Sequence, residues 1–282
     1  MNTGHKKVID IIKKYDFFIK KGYGQNFLVD QNIVNKIVEG AQLTKDDIVL
    51  EVGPGIGALT DALAPRCHKV ICVEIDKSLI PILKDNLVAQ NVEIIQGDIL
   101  KIDIPQLLEP YSRVKVVANL PYYISTPIIN AFLGTKAVSL TMMMQKEVGD
   151  RLYARPKTKA YGSLTLAISY HCDITLIGNV SKHCFIPQPN VDSMVLRFDL
   201  RKPTTTPTNE EFLFNFIRAA FSKRRKTLVN AVSSWASWDG INIQKEDLER
   251  ALKKINKATN IRAEELSLEE YIKLTDTIIH DL

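Results

Sequence analysis

Ile48-Val49-Leu50-Glu51-Val52 runs without a break into Gly53-Pro54-Gly55-Ile56-Gly57, and this junction limits the possible folds of the chain more than any other feature. A short apolar run ended by glycines reads as a strand buried on both faces. Residues 58–64 then read as a helix. The rhythm repeats: Lys69–Glu74 is a strand, Leu79–Asn86 a helix, Val92–Gln96 a strand, and 114–118 and 138–144 two more strands. Strands alternating with helices at this spacing predict βαβ units with right-handed crossovers, hence an α/β fold on a mostly parallel sheet. Residues 174–180 and 191–199 read as two further strands. Only a Pro-rich turn through Pro187 and Pro189 separates them, so they are expected as an antiparallel hairpin at one sheet edge.

Residues 201–210 (RKPTTTPTNE) hold two prolines, four threonines and no apolar side chain, the composition of a linker. Beyond it, 212–282 has helical periodicity only. The expected organisation is therefore 1–200 as the α/β domain, with 1–21 a helical extension, then the linker 201–210, then a small all-helical domain over 211–282. The extension interleaves lysines with Val8, Ile9, Ile11 and Ile12. It lacks the continuous apolar core and cleavage site of a signal peptide. No apolar run reaches the roughly 18 residues of a membrane span. These readings place the protein in the cytoplasm, away from membranes.

At 45% hydrophobic and 24% charged residues, the composition is that of a globular chain and not of a disordered one. The net charge of +5 permits a polyanionic partner without demanding one. Cys67, Cys72, Cys172 and Cys184 form no C-x-x-C pair, which removes zinc-ribbon and thiol-redox readings. His171-Cys172 and His183-Cys184 are adjacent pairs, but neighbouring strand residues point to opposite faces, so no metal site is expected.

The glycine loop sits where an open α/β sheet binds ligands, beyond the carboxyl end of its first strand. Gly53, Gly55 and Ala58 also satisfy the dinucleotide pattern, so the loop alone suits an adenosyl or a nicotinamide cofactor. Glu74 ends the second strand, where a carboxylate can accept from both ribose hydroxyls. Asp98 follows the third strand, placed to accept from an adenine amino group. Glu51 precedes the loop.

Asn119-Leu120-Pro121-Tyr122 follows the fourth strand at the same rim. The tetrad resembles the (N/D)-(P/L/I)-P-(Y/F) motif of nucleic-acid methyltransferases that act on amino groups. An adenine amino nitrogen is a poor nucleophile because its lone pair is delocalised into the ring. The Asn119 side-chain oxygen and the Leu120 carbonyl can each accept one of its hydrogens and turn that lone pair toward an incoming methyl. Pro121 stiffens the turn, and Tyr122 can stack on the base.

Three further segments point the same way: Gly24-Gln25-Asn26-Phe27-Leu28, 185–193 (FIPQPNVDS) and 220–228 (AFSKRRKTL). Together with 119–127 (NLPYYISTP), they resemble the bacterial small-subunit ribosomal RNA adenine dimethyltransferases, the family linked to kasugamycin sensitivity. The resemblance runs from about Gly22 to Leu228. It implies a Rossmann-like class I methyltransferase sheet and S-adenosylmethionine as cofactor. Asn26 and Leu28 would close over that cofactor, with Gly53, Gly55, Glu74, Asp98 and Asn119 lining its site. Phe185 would stack a flipped adenine opposite Tyr122. The implied partner is 16S ribosomal RNA in the 30S subunit or its precursor; a monomer is expected because the sequence shows no interface stripe. Tyr123 and Asn190 depart from the family, which commonly has Asn and Lys there; fine positioning of the substrate is the property they touch.

Arg218, Lys223, Arg224, Arg225 and Lys226 form a run with no acid among them, expected on a helix and expected to bind RNA phosphates. Competing readings are a dimethylase acting on 23S ribosomal RNA in antibiotic resistance, a non-catalytic ribosome assembly factor, and a nicotinamide oxidoreductase. The last leaves the tetrad and the basic run without a purpose.

Overall fold

The computed structural model describes residues 3–87, 89–120, 124–235 and 243–281. They form two compact units, one of 1–149 with 173–200 and the other of 150–172 with 201–282.

The first unit is built on a seven-stranded sheet. Its strands in chain order are β2 (Ile48–Val52), β3 (Lys69–Glu74), β4 (Val92–Gln96), β5 (Val114–Asn119), β6 (Ala137–Gln145), β7 (Cys172–Val180) and β9 (Ser193–Leu200). Their spatial order is β4-β3-β2-β5-β6-β9-β7. β4, β3, β2, β5 and β6 are parallel, while β9 runs antiparallel to β6 with Leu140 opposite Phe198. All five residues of β2 are buried, as a central strand covered on both faces requires. The expected parallel core and antiparallel edge are both present.

Helices cover the sheet: α1 (Thr3–Lys14), α2 (Gln31–Gly40), α3 (Ala58–Leu63), α4 (Leu79–Asn86), α5 (Ile104–Leu108) and α6 (Ser125–Phe132). α7 (Lys146–Leu152) follows β6. α2 starts where the Asp30 side chain accepts from the Asn32 N–H at 2.9 Å, satisfying a donor left open at the helix start. Its Ile33, Val34, Ile37 and Val38 are buried on one face. α1 is shorter than the expected extension because it stops at Lys14, and Asp16 takes a left-handed φ of 46°. Its Val8 and Ile11 pack in one cluster with Phe17, Phe27, Leu79 and Ile82.

A second, two-stranded ribbon has no counterpart among the strands expected from the sequence. β1 (Phe27–Leu28) pairs antiparallel with β8 (Phe185–Ile186). The segment between β7 and β9 is therefore not a plain turn. It carries a short 3-10 turn, Lys182–Cys184, and then β8.

The second unit corrects the expected boundary at residue 200. Residues 150–172, including α8 (Ser163–His171), belong to it. The reason is packing: Tyr161, Leu166 and Tyr170 are buried in one cluster with Phe212, Leu213, Phe216 and Leu228. The remaining helices of that unit are α9 (Glu210–Phe221), α10 (Leu228–Val232), α11 (Lys245–Lys254) and α12 (Leu268–Asp281). The expected linker 201–210 is anchored within this unit. The Arg201 N–H donates to His171 O at 2.9 Å, its guanidinium reaches Ser169 O at 3.1 Å, and Pro207 is buried.

Candidate functional site

Beyond the carboxyl ends of β2, β3, β4 and β5 lies a cavity of about 300 Å³, at the lower end of the size of small-molecule sites. Asn26, Leu28, Glu51, Gly53, Gly55, Glu74, Asp98, Asn119, Leu120 and Phe185 all line it. Residues separated by up to 159 positions (185 − 26) in sequence thus meet around one cavity. Pro121 and Tyr122 of the tetrad, and the departure Tyr123, lie outside the described residues.

The loop after β2 turns through left-handed backbone at Gly53 (φ 70°) and Gly55 (φ 60°). Only glycine adopts such angles without strain. A Cβ at residue 55 would also meet the Phe27 ring at 3.3 Å, so the loop passes close under β1.

Glu74 is 4% exposed. Its Oε2 accepts from the Gly55 N–H at 3.1 Å and its Oε1 from the Asp76 N–H at 2.8 Å. Burial raises its pKa above the ordinary value even though both N–H groups favour the charged form. A carboxylate has about four acceptor positions, so beside the Gly55, Ile75 and Asp76 N–H groups one is still open to a ligand's hydroxyl. Asp98 Oδ1 takes the Leu100 N–H at 3.1 Å, and Lys101 Nζ stands 3.9 Å from Oδ2. Asp98 thus both forms the turn and lines the cavity. Ile75 and Leu100, each 42% exposed, flank these two acids and line the same cavity. Apolar faces beside paired acceptors suit a flat heterocycle carrying a ribose.

Glu51 is the chemically unusual wall. It is 1% exposed and sits in the middle of the sheet. Oε2 accepts from Thr60 Oγ1 at 2.7 Å and lies 3.5 Å from Cys72 Sγ, while Oε1 has no partner among the described residues. Burial pushes its pKa up to about 7, against the Thr60 and Cys72 hydrogen bonds. A buried acceptor without a donor is costly. Glu51 also belongs to the cavity lining, so a positively charged ligand bound there would favour its ionised form.

Asn119 ends β5 opposite Met143 of β6, half-buried at the rim, and Leu120 is 4% exposed. Asn26 donates to Gly24 O at 2.9 Å, which leaves its side-chain oxygen for the cavity. Phe185 is 4% exposed and packs in a cluster with Leu28, Met143 and Val195. It is thus both a core residue and a cavity wall.

The basic run differs from its expected setting. Only Arg218 lies on α9; Lys223 to Lys226 form the turn between α9 and α10. α9 ends at Phe221 with Ser222 as its cap, and the Thr227 side chain starts α10 by accepting from the Asn230 N–H at 3.3 Å. All five basic side chains are exposed. Arg224 also bonds Lys159 O, which brings in a second acid-free loop carrying Arg155, Lys157 and Lys159, all exposed. No sequence signal joined the two loops, because they are 64 residues apart (223 − 159).

Among the described residues no group of three or more His, Cys, Asp or Glu side chains could hold a metal ion. No helix among them is long and apolar enough to cross a membrane.

A family model described as ribosomal RNA adenine dimethylase matches residues 17–279. Ribosomal RNA small subunit methyltransferase A of Clostridium acetobutylicum is 46% identical over 272 residues, covering 95% of this chain and 96% of that protein. Its counterpart in Alkaliphilus oremlandii is 46% identical over 284 residues, covering 98% of each. Among solved structures, a dimethyladenosine transferase from Plasmodium falciparum superposes with a TM-score of 0.75 at 28% identity, over 88% of this chain and 95% of that one. The 23S rRNA methyltransferase ErmE gives 0.72 at 25% identity, over 90% and 100%.

Proposed function

The chain belongs to the ribosomal RNA adenine dimethylase family, whose members are S-adenosylmethionine-dependent methyltransferases, and on that premise we propose how its own residues carry the reaction. The reaction is transfer of methyl groups to N6 of two adjacent adenosines in a 16S ribosomal RNA hairpin, giving N6-dimethyladenosines during 30S biogenesis. One observation carries this reading. Asn119 and Leu120, the hydrogen-accepting pair of the tetrad, stand on the same cavity as Glu74, Asp98 and Phe185.

The donor set fits the cofactor. Glu74 keeps a free acceptor position for a ribose hydroxyl, Asp98 one for an adenine amino group, and Glu51 adds a third carboxyl group to the lining. S-adenosylmethionine supplies a methyl activated on a positively charged sulfur, so no strong base is required of the protein. The chain's task is orientation. Asn119 Oδ1 and the Leu120 carbonyl accept the two amino hydrogens, and Phe185 stacks on the flipped base. After the first transfer one hydrogen is gone, so one of the two acceptors must tolerate the methyl. The released proton leaves with solvent.

The basic turn Lys223–Lys226, Arg218 and the loop 155–159 serve as the phosphate-binding face, with shape and unpaired bases selecting the RNA. We place the protein in the cytoplasm, acting as a monomer on the small subunit or its precursor. The names of the relatives favour that subunit over the large one.

The decisive experiment is radiolabelled methyl transfer to 30S and 50S particles from a strain lacking the enzyme, side by side. Label is expected in 30S RNA only. Label confined to 50S RNA overturns the choice of subunit. Binding of S-adenosylmethionine without any transfer favours an assembly factor, and binding of NAD in its place favours an oxidoreductase.

A further inference from the structure

Asp76 lies two residues beyond Glu74 and does not line the cavity. It is nonetheless 1% exposed. A buried carboxylate persists only when donors surround it, and the donors here come from an unexpected place. Lys20 Nζ reaches Oδ1 at 2.7 Å, and Gln25 Nε2 reaches Oδ2 at 2.7 Å. Ser78 adds its hydroxyl at 2.6 Å and its N–H at 3.0 Å, both to Oδ1. Gln25 Oε1 in turn accepts from the Lys20 N–H at 2.8 Å. One carboxylate therefore holds both ends of the segment 20–25. Burial opposes its charge, but donation from Lys20, Ser78 and Gln25 outweighs burial and keeps it below the usual carboxylate range.

The segment so held continues directly into Asn26 and Leu28, two walls of the cavity. Its far end is fixed by the β1–β8 ribbon and by the Val29 N–H donating to Cys184 O at 2.9 Å. Asp76 is the anchor at its near end. The Asp76 N–H also donates to Glu74 Oε1, which orients a further carboxylate of the cavity lining.

We propose that Asp76 is a positioning residue for cofactor binding: it clasps the strap 20–28 through Lys20 and Gln25 while its own N–H orients Glu74, so that two walls of the cavity keep one geometry. This rests on the methyl donor occupying the cavity. Asp76 itself contributes no wall, so any effect of its loss must pass through the strap and Glu74.

The test uses the full chain with S-adenosylhomocysteine as probe, comparing Asp76→Asn and Lys20→Met with the parent protein. Calorimetry is expected to show about tenfold weaker binding for Asp76→Asn and a several-fold loss for Lys20→Met. The double variant should be no weaker than Asp76→Asn alone, since both act through one ion pair. KM for S-adenosylmethionine should rise in step, with kcat at saturating cofactor within about twofold of the parent. Trypsin should cut after Lys20 or Lys21 faster in ligand-free Asp76→Asn. Folded variants with the parent's Kd and cleavage rate overturn the clasp, as does a fall in kcat at unchanged KM. If Asp76→Asn does not fold, Lys20→Met decides alone, because the Lys20 head group is partly exposed and its loss opens no core cavity. A parent protein that binds no S-adenosylhomocysteine sinks the functional reading instead. The cleavage rate without ligand still reports on the clasp.

Discussion

Leu28 stands directly opposite Phe185 in the antiparallel β1–β8 ribbon, and both side chains line the cavity. The wall expected to close over the cofactor and the ring expected to stack on the target base are thus paired neighbours on one ladder. A shift of either strand moves both.

Phe185 therefore has two separable roles. Phe185→Ala removes buried volume and is expected to cost about 3–5 kcal/mol of stability. Phe185→Leu keeps most of the packing but loses the flat face, so the melting temperature should change little. Its methylation kcat/KM should still fall about tenfold or more, matching base stacking worth roughly 1–3 kcal/mol. Parent-like kcat/KM in a stable Phe185→Leu protein would mean that the ring serves the core alone.

Glu51 predicts a pH dependence of known sign. Its folded pKa, about 7, lies above the ordinary 4.5, so the native state holds its proton longer than the unfolded chain does. The stability this contributes is fully present below pH 4.5 and is lost as pH rises to about 7. The gap corresponds to about 3 kcal/mol. Urea unfolding of ligand-free protein at pH 5 and pH 8 should show this loss in the parent and not in Glu51→Gln. A cationic ligand favours the ionised carboxylate, so S-adenosylmethionine should bind more tightly at pH 8 than at pH 6, again only in the parent. Parallel pH profiles for the two proteins would exclude Glu51 as the titrating group.

Asn119→Ala should lower methyl transfer by about 10²–10³-fold, the usual effect of removing one oriented hydrogen-bonding group from a reacting centre. Cofactor affinity should stay within about tenfold, since Glu51, Glu74 and Asp98 remain in place. Single-turnover transfer to 30S particles measures the first quantity and calorimetry the second. Near-normal turnover refutes the orienting role.

The basic loops make a prediction about salt. Replacing Lys223 and Arg225 by Gln should weaken RNA binding and flatten the plot of log affinity against log salt by about 0.7–0.9 for each phosphate that is no longer neutralised. Binding of S-adenosylhomocysteine should not change. An unaltered slope in filter binding places the RNA elsewhere.

The central strands, the glycine loop and the strand-end residues Glu74, Asp98 and Asn119 were all legible in the chain. Strands β2 and β3 lie in one stretch with short connections, and their apolar runs and bounding glycines are local signals. A parallel sheet then carries every strand-end residue to the same rim, so spacing alone predicted which of them meet. Residues 201–210 misled for the same reason. Their composition is that of a free linker, but His171 and Ser169 hold Arg201 from a distant part of the chain.

Local sequence thus determined the parallel core and the chemistry on its rim, because both follow from side-chain periodicity and backbone freedom over a few residues. Tertiary structure alone decided three things. It paired Leu28 with Phe185, buried Asp76 beneath Lys20 and Gln25, and placed residues 150–172 with the helical unit. Each joins segments at least 42 residues apart (212 − 170, for Tyr170 and Phe212) through a ladder bond, a buried charge or a shared apolar cluster. Such pairings are chosen by the free energy of the whole packed chain, and a short window carries no record of which distant partner wins.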